Sequence, residues 1–157
     1  MHTDDTPTPA PVDLAQAFAV FTEINILAQL SATLLEARLP RGMVTAQFGV
    51  LNHLAKRPDG RTPLQIARAF QVPKTSMTHS LAVLEREGLV EMLRNPADGR
   101  SKIVRITPDG MALRARMITA LAPDIDRALA GAAPQTLEHL LPLLRELRRV
   151  MDAARDG

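Results

Sequence analysis

The 157-residue chain contains no cysteine, no tryptophan and no tyrosine, and only four phenylalanines. The missing thiols exclude disulfide scaffolds, thiolate metal sites, cysteine nucleophiles and thiol redox sensing together. So few aromatic rings leave no stacking platform of the kind that holds single-stranded nucleic acid. No uninterrupted apolar run reaches the ~18 residues of a membrane span, so none is expected. The N-terminal stretch, Met1 to Pro11, is acidic and rich in proline and threonine, the opposite of a cationic, apolar signal peptide. It reads as a disordered tail, residues 1–12, on a cytoplasmic protein. A fixed-period repeat and a glycine-rich phosphate loop are absent as well.

What remains is an ordinary globular composition, 46% hydrophobic and 23% charged. It is enough for one cored domain, or one with a helical appendage, and too short for a multidomain enzyme. The net charge of +2 conceals an uneven distribution. Residues 41–107 carry eleven Lys/Arg against five acids, and the two flanks carry eight against twelve. A centre of +6 between flanks of −4 is the distribution expected of a protein whose middle meets a polyanion.

Apolar positions at helical spacing run from Leu14 to about Arg38 on more than one face, and that helix ends before Pro40 and Gly42. A second helix is expected from Thr45, read as its N-cap, to the turn at Pro58-Asp59-Gly60. Thr62 and Gln65 form a capping box around Pro63 and open a short helix to about Phe70. Gln71-Val72-Pro73 breaks it, and a further helix follows from about Lys74 to Gly88. Two short helices joined by a tight turn, the second polar at its start and apolar on its inner face, outline a helix-turn-helix.

Leu89–Arg94 and Lys102–Thr107 read as two strands joined by a charged turn, a β-hairpin. Thr107 caps a helix running from about Met111 to Leu129, and a last helix runs from Thr136 to about Ala154. Pro123 and Pro142 are expected to bend them. The fold class expected is mainly α with a small β-hairpin wing: a winged helix-turn-helix, residues 41–107, between N-terminal (13–40) and C-terminal (108–157) dimerisation helices. The apolar stripes of these flanks are too large to leave in water, so pairing with a second copy is expected.

The run Thr75-Ser76-Met77-Thr78-His79-Ser80-Leu81-Ala82-Val83-Leu84-Glu85-Arg86-Glu87-Gly88-Leu89-Val90, then Asn95-Pro96-Ala97-Asp98-Gly99-Arg100-Ser101, then Ile106-Thr107-Pro108-Asp109-Gly110, resembles the MarR family of bacterial transcription regulators. The resemblance implies a ligand-responsive repressor without enzymatic activity, a homodimer on a pseudo-palindromic operator in double-stranded DNA. The helix from Lys74 would enter the major groove and the wing tip with Arg100 the minor groove, where narrow-groove potential attracts an arginine. Expected DNA-binding residues are Lys74, Thr75, Ser76, Thr78 and His79 on the helix, and Arg94, Asp98, Arg100 and Lys102 on the wing. Asp98 would orient Arg100 or cap the turn.

Pro73 stands where the family often has a Ser or Asp cap, and it has no side-chain oxygen to offer. Two alternatives stay open: a start shifted to Thr75, or one left uncapped until DNA binds. No cofactor is implied. Many relatives bind small, often aromatic, acids between the dimer helices and the winged helix, and Asn25, His53 and Met111 are candidates to lie near such a cleft. The four histidines lack metal spacing, and Ser76, His79 and Asp98 form a triad only on paper, without a nucleophile elbow. The rival from another class is a winged helix that binds protein through its apolar helices and does not bind DNA.

Overall fold

The computed structural model describes residues 11–156; most of the expected N-terminal tail therefore lies outside the described residues. Six helices and one hairpin follow in the order α1 (Leu14–Glu36), α2 (Thr45–Leu54), α3 (Pro63–Ala69), α4 (Lys74–Arg86), β1 (Val90–Arg94), β2 (Lys102–Ile106), α5 (Pro108–Leu129) and α6 (Thr136–Asp156). The chain divides into two compact units, one ending at Leu121 and one from Ala122 onward.

In the first unit α4 packs on α2, α3 and β1, and β2 packs on α2 and α3. Their inward side chains build one core, in which Val50, Leu51, Leu54, Ile66, Leu81, Leu84 and Val104 are essentially fully buried. Helix α4 contributes Met77, Leu81 and Leu84, the i, i+4, i+7 stripe that turns its polar start outward. The hairpin is antiparallel, pairing Val90 with Ile106 and Arg94 with Lys102 at its ends.

Capping follows the sequence expectation at Thr62 and Thr107, and Asp13 adds a cap that was not expected. Asp13 accepts from the amides of Ala15 and Gln16, Thr62 and Gln65 form the reciprocal box, and Thr107 accepts from the amide of Gly110 at 3.1 Å. The Thr107 hydroxyl also donates to the Gly88 carbonyl, 2.6 Å away, tying the start of α5 to the end of α4. At α2 the expectation fails. The cap position is Val44, whose amide donates to Gln47 Oε1 at 3.1 Å, and Thr45 is already helical, its hydroxyl donating to Glu36 Oε1. Valine has no oxygen to offer, so Gln47 supplies half a capping box alone.

Two glycines are sterically required. A Cβ on Gly110 would stand 2.1 Å from the Leu89 carbonyl oxygen, and one on Gly60, at φ +78°, would stand 2.5 Å from Ile103 Cγ2. The close approach at Gly60 admits a feature missed in the sequence. Arg61 forms an isolated bridge to Val104, with amide–carbonyl distances of 3.0 and 2.8 Å, adding a one-residue third strand to the wing. A one-residue strand has no alternation to read.

Helix α1 has no buried residue and exposes Leu14, Phe18, Leu27 and Leu30. By length and composition it is apolar enough to cross a membrane, contrary to the sequence expectation. The expectation required an unbroken run, whereas the polar residues of α1 are spread out and largely satisfied within the helix. Thr22, Asn25, Ser31 and Thr33 each donate to a carbonyl three or four residues earlier. In the second unit α6 is likewise without a buried side chain among its described positions, with Leu137, Leu141, Leu143, Val150 and Met151 about half exposed. Pro123 and Pro142 are accommodated within continuous helices.

Candidate nucleic-acid interface

Helix α4 begins at Lys74, with Pro73 at the cap position and no side-chain cap bond. The choice left open by the sequence is therefore settled in favour of an uncapped start at Lys74. The turn before it is tight: Val72 donates to the Ala67 carbonyl at 3.1 Å, and Gln71 takes a positive φ of 57°, uncommon for a residue with a side chain. Lys74, Thr75, Ser76, Thr78 and His79 are all exposed, while Met77 between them is buried. The five residues thus share the outward side of one helix start. The Thr78 hydroxyl donates to the Lys74 carbonyl at 2.8 Å, so its oxygen is turned toward its own helix.

The first-turn amides of α4 have no side-chain acceptor at the cap, and the partial positive charge of a helix N-terminus adds to Lys74. That combination favours an anion.

The wing carries the second basic group. Its last ladder pair sets Arg94 directly opposite Lys102, both exposed. Like charges across a strand pair destabilise a hairpin by a few tenths of a kcal/mol, on the order of 0.2–1. A local rule broken on a surface is the pattern of a site kept for binding. A side chain added at Gly99 would touch the Arg94 guanidinium at 3.7 Å, so Arg94 reaches toward the tip that carries Arg100. Asp98 Oδ1 accepts from the Arg100 amide at 3.0 Å. Of its two expected roles, this is the cap of the turn.

Two wing residues outside the expected set prove to be structural centres. Asn95 is buried and bonded to the part-buried Ser101. Asn95-Pro96 reads only as a turn in sequence; the burial of an asparagine there arises from the folded loop.

A cavity of about 310 Å³ lies in the first unit, lined by Pro40–Met43 and Gln47, by Val83, Leu84, Arg86 and Glu87 of the α4 end, and by Leu89 and Leu113. Asn25, His53 and Met111 are not among its lining residues. Among the described residues no group of three or more histidines and carboxylates is placed to hold a metal.

A helix-turn-helix with an exposed basic second helix, followed by a basic hairpin, defines the winged helix-turn-helix class. Residues 41–101 match the model of the MarR family. Members of that family are transcriptional regulators, not enzymes. The chain is similar to the transcriptional regulator BldR from Sulfolobus solfataricus, at 23% identity and a TM-score of 0.74, over 88% of this chain and 99% of that one. It is also similar to the PcaV transcriptional regulator from Streptomyces coelicolor in complex with its natural ligand, at 26% identity, TM-score 0.67, over 93% and 99%. A third similarity is to a mutant MarR from E. coli complexed with operator DNA, at 24% identity, TM-score 0.71, over 87% and 99%.

Proposed function

We propose that this protein is a cytoplasmic transcriptional repressor that binds a pseudo-palindromic site in double-stranded DNA as a homodimer. The observation that carries the reading is the wing, where Arg94 and Lys102 face each other below Arg100 without a compensating acid in the ladder pair. Such a cluster is costly in the free protein and becomes favourable against phosphate. The start of α4 supplies Lys74, Thr75, Ser76, Thr78 and His79 for the major groove, and Arg100 reads minor-groove shape. The operator-bound MarR structure supports this reading.

Exposed apolar residues along α1 and α6 support dimerisation, since a second copy would remove both faces from water. A small organic acid fits the cavity between the α1–α2 loop and the α4 end, which sits at the lower edge of the ~300–1,000 Å³ range of ligand pockets. Arg41, Arg86 and Gln47 would meet its carboxylate. The ligand complex of PcaV supports an effector of this kind. Binding there would act by favouring dimer geometries that misplace the two α4 helices on the operator.

The test is selection of bound fragments from genomic DNA, followed by salt titration of the selected duplex. Affinity falling by about 10³ or more between 50 and 200 mM salt, with a site of two related halves, is expected for six or more phosphate contacts. A flat salt response, or no fragment recovered, removes DNA binding and leaves a protein-interaction module. A monomer mass in sedimentation at micromolar concentration refutes the dimer, and recovery in the membrane fraction refutes the cytoplasmic placement.

A further inference from the structure

Two polar side chains are buried among the described residues, Gln47 and Asn95. Gln47 is explained by the start of α2. Asn95 sits at the base of the wing tip, where an amide withdrawn from water is costly unless its donor and acceptor are met. Its Nδ2 donates to Ser101 Oγ at 2.6 Å, across the loop. Its Oδ1 accepts from the Ala97 amide at 3.0 Å, and its own amide reaches the Ser101 carbonyl at 3.4 Å.

Ser101 passes the constraint along. Its amide and its hydroxyl both donate to the Asp98 carbonyl, at 3.0 and 3.2 Å, and the Asp98 carboxylate accepts from the Arg100 amide. A chain of bonds therefore runs from a buried anchor to the backbone of the one residue expected in the minor groove. Residues 96–100 are all exposed. A loop of that kind ordinarily pays its ordering when it binds, side chain by side chain.

We infer that Asn95 and Ser101 are positioning residues of the wing, closing residues 95–101 into a preformed loop that holds Arg100 for the DNA groove. The inference rests on the DNA-binding reading above. Neither residue need touch DNA: the clasp moves the ordering cost from binding to folding, and it fixes the tip over which Arg94 also reaches.

The experiment measures affinity for the duplex selected by the wild-type protein, with Asn95→Ala, Ser101→Ala, Ser101→Thr and Arg100→Ala, and with Asn95→Ala combined with Arg100→Ala. Asn95→Ala is expected to weaken binding about tenfold, equivalent to about 1.4 kcal/mol. Ser101→Ala should weaken it by a smaller factor, and Ser101→Thr should restore wild-type affinity because the hydroxyl is kept. In the Arg100→Ala background the Asn95 substitution should add less than twofold, an outcome that general destabilisation would not produce. Hydrogen exchange of the free protein should show faster exchange of the Arg100 and Ser101 amides in Asn95→Ala. If Asn95→Ala does not fold, Ser101→Ala in the two Arg100 backgrounds carries the same comparison. Wild-type protein that selects no duplex overturns the DNA reading and the inference with it. Wild-type binding with unchanged affinity in the variants, or an equal loss in the Arg100→Ala background, overturns the clasp alone.

Discussion

Leu51, Leu54, Ile66, Leu81, Leu84 and Val104 of the winged helix are at most 1% exposed, whereas α1 has no buried residue and α6 none among its described positions. Both regions are rich in leucine, yet only one completes its burial within a single chain. The winged helix does so because its elements are short and turn back on each other at Gly60, Gln71 and Gly88, all at positive φ. The long flanking helices lay out apolar surface without a partner of their own. The winged helix finishes its packing alone, and the flanking helices leave their apolar faces exposed.

The comparison can be broken most severely at a glycine. Gly110→Ala puts a methyl into the Leu89 carbonyl and should cost about 4 kcal/mol, above the usual ~1–3 of overpacking, or prevent folding. Gly131→Ala in the second unit meets nothing within 4 Å and should stay within about 0.5 kcal/mol. Denaturant titration of the two variants checks both, and equal effects would end the contrast. Next in size, Leu81→Ala should cost about 3 kcal/mol at every protein concentration, because its cavity forms inside one chain. Leu141→Asp on α6 should instead act through assembly, giving a thermal midpoint that depends on concentration and a lower sedimenting mass. Smaller again, Arg100→Ala should lower affinity for the selected duplex about tenfold with dimer mass unchanged, and Lys74→Ala should reduce the slope of log affinity against log salt by about 1. The smallest effect sharpens the reading of the wing. Lys102→Ala relieves the pair with Arg94, so it should raise stability by a few tenths of a kcal/mol while weakening DNA binding.

The helix-turn-helix was legible because its signals are local. The Thr62–Gln65 box, the apolar stripe of α4 and the stop at Gly88 each specify structure within a turn or two of helix. The exposed set on α4 and the wing was legible for the same reason, since polar residues at the start of an amphipathic helix or at a hairpin tip fall outward by periodicity alone. The Val44 start of α2 was not, because Thr45 is the better cap by residue type and the Glu36 carboxylate, nine residues earlier, takes its hydroxyl. Requiring an unbroken apolar run misled in the other direction at α1, whose scattered polar groups bond back to their own helix and leave it apolar by length and composition.

By itself the sequence determined the order of elements, the basic middle and the absence of thiol chemistry, all of which depend on residue type and near neighbours. Tertiary structure alone decided the Arg61–Val104 rung, the steric need for glycine at 60 and 110, the cavity at the end of α4 and the burial of Asn95 beneath the wing tip. Each of these depends on atoms that are brought together only when distant segments pack. Periodicity reports which way a side chain faces on its own element and carries no information about what waits on the other side.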